Sequence, residues 1–218
     1  MGLLDWIRGE KKRVVVPTAG PAAADVRQHD SYYIKIAEAV RGSDTDNDPD
    51  RDGANCWGSK VGAVVVLGGG PLGRRVVSTG YNGTPSGFPN CLDGGCVRCE
   101  RRRDDPSAGG IGLDRCVCVH AEQNALLSAA RFGISVEGAT IYTTLSPCFG
   151  CLKESIQAGI KRIVYLNVYN AHYEPEIQAQ YDALIERLRN GNPVNFEPLG
   201  GTPAAVDEVG QFPDPSRG

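Results

Sequence analysis

Two short stretches constrain this chain more than anything else in it: Val119-His120-Ala121-Glu122 and Pro147-Cys148-Phe149-Gly150-Cys151. They make chemical sense together only if the fold brings them to one place. An imidazole and two thiols are donors that zinc prefers, and three protein ligands leave the fourth tetrahedral position open. Cys148 and Cys151 stand three apart, so on a helix they project from one face and can share an ion. Pro147 suits the first position of that helix, where its missing N–H costs nothing. The positive end of the helix dipole favours thiolate over thiol at both sulfurs. Glu122 is near enough to His120 to share the site, yet badly placed to share its ligand direction. A carboxylate beside a metal-activated water can take a proton and hand it to a leaving amine. A purely structural zinc is the competing reading. A lone C-x-x-C would favour it; the His-Ala-Glu triplet upstream weighs for catalysis.

The pattern around these stretches predicts the fold. A helix over residues 30–41, capped by Asp30, carries Tyr33, Ile34, Ala37 and Val40 on its buried stripe. Residues 60–67 and 73–79 are β-branched apolar runs joined by glycines and a proline, which predicts a hairpin. A long irregular segment then spans 81–118, and a loop of that length inside a domain is usually functional or pinned. Helices over 120–132, 148–158 and 175–190 alternate with strands over 140–144, 161–167 and 194–196. Gly133 and Gly159 end the first two of these helices. In the helix over 175–190, Ile177, Tyr181, Leu184 and Leu188 are expected to face inward. This rhythm implies a layered α/β sheet with its site at helix N-termini. Residues 28–198 form one domain, with a flexible tail at 1–27 and a Gly- and Pro-rich disordered tail at 199–218. In the N-terminal tail, Leu3, Leu4 and Ile7 suit one turn of a partner-binding helix, against the plainer reading of a frayed end.

Charge and cysteine usage exclude several classes. A net charge of −3 gives no global attraction to nucleic acid, so no stable nucleic-acid partner is expected. No apolar run approaches the roughly 20 residues of a membrane span, and Asp5 with Arg8 spoils the N-terminus as an export signal. A cytoplasmic protein with no membrane partner is expected. Eight cysteines in a chain of 218 residues, in metal-like spacings, then read as thiolates rather than disulfides. Asp48, Asp50, Asp52 and Gly53 resemble the start of a calcium loop, but Ser59 stands where a bidentate glutamate is needed. A solvated acidic loop is the default there.

At this point the sequence resembles the cytidine/deoxycytidylate deaminase superfamily, and within it the deoxycytidylate branch. The residues that carry the likeness are Lys60-Val61-Gly62-Ala63-Val64, Gly80-Tyr81-Asn82-Gly83-Thr84-Pro85, His120-Ala121-Glu122-Gln123-Asn124-Ala125, Pro147 to Cys151, and Ile156-Gln157-Ala158-Gly159-Ile160. The zinc motif is the general H-x-E…P-C-x-x-C signature of zinc nucleobase deaminases, a match and not a derivation; Gly-Tyr-Asn-Gly narrows it. The resemblance implies a three-layer α/β/α cytidine-deaminase-like fold with a mixed central sheet of about five strands. It implies zinc-dependent deamination of dCMP to dUMP and ammonia in pyrimidine deoxynucleotide metabolism, with His120, Cys148 and Cys151 holding the ion and Glu122 moving the proton. Asn82 would contact the deoxyribose and the Ala121 N–H the cytosine O2, with Tyr81 and Gly83 at the same rim. Tyr165 and Tyr169 are aromatic candidates to stack on the base, or ordinary core and surface rings. Lys60, Arg98 and Arg101-Arg102-Arg103 are candidates for the 5′-phosphate. The resemblance also implies a homo-oligomer with a small nucleotide as substrate.

Six cysteines remain: Cys56, Cys91, Cys96, Cys99, Cys116 and Cys118. Cys96-Val97-Arg98-Cys99 is a second C-x-x-C in the loop that needs pinning, and a closed four-ligand zinc would supply the pin. The resemblance adds an expectation of such a second, structural zinc. Six candidates for four positions leave its ligand set open. Two readings compete with dCMP deamination: a related deaminase acting on another cytosine or purine substrate, and a non-catalytic zinc-stabilised binding module. Loss of the glutamate would mark the latter, and Glu122 is present.

Overall fold

Two layers of side chains leave the central strands in opposite directions, and each finds its own helical cover. In the computed structural model, residues 29–42, 53–70, 73–105, 116–169, 173–190 and 193–200 are described. Strand β1 (Gly62–Gly70) pairs antiparallel with β2 (Gly73–Tyr81) on one side and with β3 (Thr140–Leu145) on the other. From β3 the sheet continues parallel through β4 (Arg162–Asn167) to β5 (Asn195–Pro198), giving the order β2-β1-β3-β4-β5. Parallel neighbours need crossovers. Helix α4 (Phe149–Gln157) links β3 to β4, and α5 (Pro175–Arg189) links β4 to β5.

Ala63, Val65, Ile141, Ile163, Tyr165 and Phe196 point to one face, where α3 (Ala121–Arg131), α4 and α5 close the larger core. Their neighbours in register, Val64, Val66, Tyr142 and Val164, point the other way onto α1 (Asp30–Arg41). The result is the expected three-layer α/β/α arrangement around a mixed five-stranded sheet. Among the described residues no helix is long and apolar enough to cross a membrane.

Several local expectations are corrected. Asp30 is not the cap of α1. His29 holds that position, and the Asp30 carboxylate is buried against Arg162, which binds it through Nη1 at 2.7 Å and Nη2 at 2.6 Å. The Tyr142 hydroxyl donates to the same carboxylate at 2.9 Å, and Arg162 Nε donates to Glu197 at 2.6 Å. The Asp30 carboxylate is engaged with Arg162 and Tyr142, and no side chain caps the start of the helix. On α5 the inward stripe is Tyr181, Ile185 and Leu188; Leu184 is half-buried and Ile177 is exposed. The segment over 81–118 is not irregular throughout, since it contains a 3₁₀ turn (Cys91–Asp93) and α2 (Val97–Asp104). Past β5, the Leu199 N–H donates to the Tyr165 carbonyl at 2.8 Å, carrying order beyond residue 198. The N-terminal turn around Leu3, the acidic loop with Asp48 and Asp50, and residues 201–218 lie outside the described residues.

Candidate metal centre and its rim

The two helices that carry the donors begin side by side. His120 is the N-cap of α3, with extended backbone at φ −71 and ψ 159. Cys148 is the N-cap of α4, again extended at φ −68 and ψ 171. Pro147 therefore precedes the cap and is not the first helical residue, as its spacing suggested. Its carbonyl accepts a hydrogen bond from the Tyr181 hydroxyl at 3.0 Å, and the Tyr173 hydroxyl accepts the Phe149 N–H at 3.0 Å. One orphan donor of the α4 first turn is thus satisfied from the segment before α5.

His120 Nδ1 lies 3.3 Å from Cys148 Sγ and 3.4 Å from Cys151 Sγ. Zinc bonds of about 2.0–2.1 Å to imidazole and 2.3 Å to thiolate place the ligand atoms of a tetrahedral site about 3.5 Å apart. The three donors fit. The electrostatics agree: a hydrogen bond from Cys151, helped by His120, pulls the Cys148 thiol down to about 4 against the opposing effect of burial. The hydrogen bond to Cys148 in turn pushes His120 up to about 9, the mark of a negative pocket that wants a cation.

Glu122 is buried beside them. Burial pushes its carboxyl above the usual carboxylate range, with the negative field of Cys148 adding to the effect. Thr143 Oγ1 stands 3.2 Å from Glu122 Oε1 and 3.0 Å from the Leu145 carbonyl. A hydroxyl has one hydrogen, so Thr143 can donate to Leu145 while accepting from a protonated Glu122, or turn its hydrogen to an ionised one. Gln123 ties the two helices together. Its Oε1 accepts the His120 N–H at 3.0 Å, and its Nε2 donates to Glu154 Oε1 on α4 at 3.0 Å. Nothing in the local spacing singled out Thr143 or Glu154, because each meets its partner only across the sheet or between helices.

The Tyr81-Asn82-Gly83 segment is strapped along the approach to His120. Gly83 and Val119 exchange backbone hydrogen bonds at 3.2 and 2.8 Å, and Asn124 Nδ2 donates to the Tyr81 carbonyl at 2.7 Å. Gly80 permits this closeness, since a Cβ there would collide with the Ala121 carbonyl oxygen and the Ala125 nitrogen of α3. Asn82 is buried, with Oδ1 accepting the Val61 N–H at 2.7 Å and Nδ2 donating to the Ser59 carbonyl at 2.5 Å. Its φ is not positive, so it is not a left-handed turn residue. Ala121 is fully buried at the first position of α3, where its N–H lies outside the helical ladder. Tyr165 belongs to the core, 4.8 Å from the Phe196 ring centroid, and is removed from the aromatic candidates. Tyr169 sits just past β4, its N–H held by Ser146 Oγ at 2.7 Å.

The other six cysteines gather in a separate buried cluster. Their sulfurs form two groups of four, Cys56-Cys91-Cys99-Cys118 and Cys96-Cys99-Cys116-Cys118, with the atoms of each group within 4.8 Å of one another.

Residues 48–167 match the family described as the cytidine and deoxycytidylate deaminase zinc-binding region. Among curated relatives, the deoxycytidylate deaminase of Schizosaccharomyces pombe is 40% identical over 141 residues, covering 65% of this chain and 38% of that protein. The chain therefore spans well under half of that relative's length. The deoxycytidylate deaminase of Mycobacterium phage D29 is 40% identical over 140 residues, covering 62% of this chain and 92% of the phage protein. The crystal structure of the apo dCMP deaminase from cyanophage S-TIM5 has a TM-score of 0.50 and 29% identity, covering 78% of this chain and 97% of that one.

Proposed function

Since the chain belongs to the cytidine and deoxycytidylate deaminase family, we propose that it converts dCMP and water to dUMP and ammonia with a zinc ion held by His120, Cys148 and Cys151. The observation that carries this reading is the convergence of those three donors on one point beside the buried Glu122. Zinc bound there would supply Lewis-acid activation of water near neutral pH. The chain's own residues do the rest. The Glu122 carboxylate takes the proton of the attacking water and delivers it to N3 of the cytosine ring. A new C4–O bond forms, the C4–N4 bond breaks, and Glu122 returns the remaining proton to the departing amine. Thr143 accompanies both states of Glu122, donating to the ionised form and accepting from the protonated one.

The substrate reading rests on the named relatives and on the Gly-Tyr-Asn-Gly segment lying against Val119. Asn82 keeps one Oδ1 lone pair and one Nδ2 hydrogen beyond its bonds to Val61 and Ser59, enough to meet a sugar hydroxyl. Tyr81, Gly83, the Ala121 N–H and Tyr169 would complete the rim. Charge-assisted phosphate contacts are worth about 1.5–3 kcal/mol each, so two or three separate nucleotide from nucleoside by orders of magnitude. Eight free cysteines fit a reducing, cytoplasmic setting, and light-scattering mass tests the homo-oligomer that the family likeness implies. Ammonia release from dCMP, CMP, deoxycytidine and dCTP tests the whole reading, and dCMP should lead. Equal turnover of deoxycytidine would overturn the monophosphate preference, and no turnover of any of the four would overturn cytosine deamination.

A further inference from the structure

The six-cysteine cluster is more than a single structural site can use. Each group of four qualifies as a ligand set on the same measure, and the two share Cys99 and Cys118. The sulfur spacings are those of metal tetrahedra. Cys56 Sγ lies 3.8 Å from Cys99 Sγ, and Cys96 Sγ lies 3.7 Å from Cys116 Sγ. With bonds of about 2.3 Å, the edge of a zinc–thiolate tetrahedron is about 3.8 Å, whereas a disulfide would need about 2.05 Å. All eight cysteines of the chain are free thiols.

One ion in either group leaves two sulfurs stranded. If it took Cys56, Cys91, Cys99 and Cys118, then Cys96, 1% exposed, and Cys116 would lie idle against two of its ligands. If it took the other group, Cys91, 0% exposed, and Cys56 would lie idle. Cys91 is furnished with a backbone donor of the kind that serves metal thiolates, the Trp57 N–H at 3.4 Å from its Sγ.

We propose that these six cysteines hold two zinc ions in edge-sharing tetrahedra, with Cys99 and Cys118 as bridging thiolates. Cys56 and Cys91 complete one ion, and Cys96 and Cys116 the other. The second ion adds two positive charges and displaces two further thiol protons, so it changes the charge of the cluster by nothing. Two dications against six thiolates leave the same residual negative charge as one dication in a single group of four. The local chain is shaped to this end. Cys91 opens the 3₁₀ turn, Gly94 follows in the left-handed region at φ 88, and Cys96 caps α2 so that Cys99 faces back into the cluster. Cys116 and Cys118 arrive from the segment that leads into His120, so the cluster anchors both ends of the long insertion over 81–118.

The site is distinct from the His120 centre, and its test does not read activity. The full chain, purified under reducing conditions without added chelator, should carry about three zinc ions by elemental analysis and native mass spectrometry, one at His120 and two in the cluster. His120→Ala should carry two. Cys116→Ser should lose one cluster ion and retain the other. Should Cys116→Ser fail to fold, cobalt loading of the wild type decides. The cobalt EPR signal of two thiolate-bridged ions should fall through magnetic coupling as the cluster fills, while isolated ions would keep the signal proportional to metal. A wild-type content of two, unchanged in Cys116→Ser, would overturn the proposal, as would uncoupled cobalt at full loading.

Discussion

At the scale of single residues, the proposed reaction hangs on who holds a proton. Glu122→Gln keeps the size and burial of the side chain but removes the proposed proton carrier. Turnover of dCMP should fall by about 10²–10⁴-fold, while zinc content stays at the wild-type value. Loss of zinc in that variant would instead mean that the carboxylate is a ligand. Thr143→Val should leave zinc in place and lower kcat more than it raises KM, because Thr143 touches Glu122 and not the donors. His120, Glu122, Cys148 and Cys151 were legible in the sequence because two tight local spacings carry them. Thr143 was not, for it meets Glu122 across 21 residues and looks like any strand threonine until the sheet forms. Asn82 was singled out only by family likeness, and its bonds to Val61 and Ser59 belong to a loop that no periodicity describes.

At the scale of elements, the site depends on how closely α3 approaches β2. The Ser78 hydroxyl on β2 donates to the Ala125 carbonyl at 2.6 Å, and Gly80 leaves room for the helix backbone two residues later. Gly80→Ala would force the helix outward, at a cost of about 1–3 kcal/mol. A lower melting temperature and weaker zinc retention at His120 should appear together; a variant as stable as the parent would show that the helix can slide without loss. The helices and strands expected from the sequence are present, with ends shifted by up to three residues. The misplaced faces have physical causes. Ile177 sits exposed in the first turn of α5, and Tyr181, Ile185 and Leu188 carry the packing instead. α2 escaped notice because its sequence, rich in arginine and short, carries no apolar stripe; its Cys99 packs among sulfurs.

At the scale of the whole molecule, one buried ion pair fastens α1, which covers the second face, to the sheet. Arg162→Met removes the guanidinium and leaves the Asp30 carboxylate buried without its cation. It should cost about 3–5 kcal/mol by denaturant unfolding, with Tyr142→Phe far milder. An Arg162→Met variant within about 1 kcal/mol of the parent would mean that the carboxylate escapes to water or takes up a proton. The same pair bears on how the chain is made. Arg162 follows Asp30 by 132 residues, and the β1–β3 pairing between Val64 and Tyr142 also waits for distant chain. At the usual rate of 5–20 residues per second, α1 is synthesised roughly ten seconds before the arginine it will clasp. Through that interval its apolar stripe of Tyr33, Ile34 and Ala37 has only Val64 and Val66 of β1 to cover, so a helix made early is among the last to complete its packing.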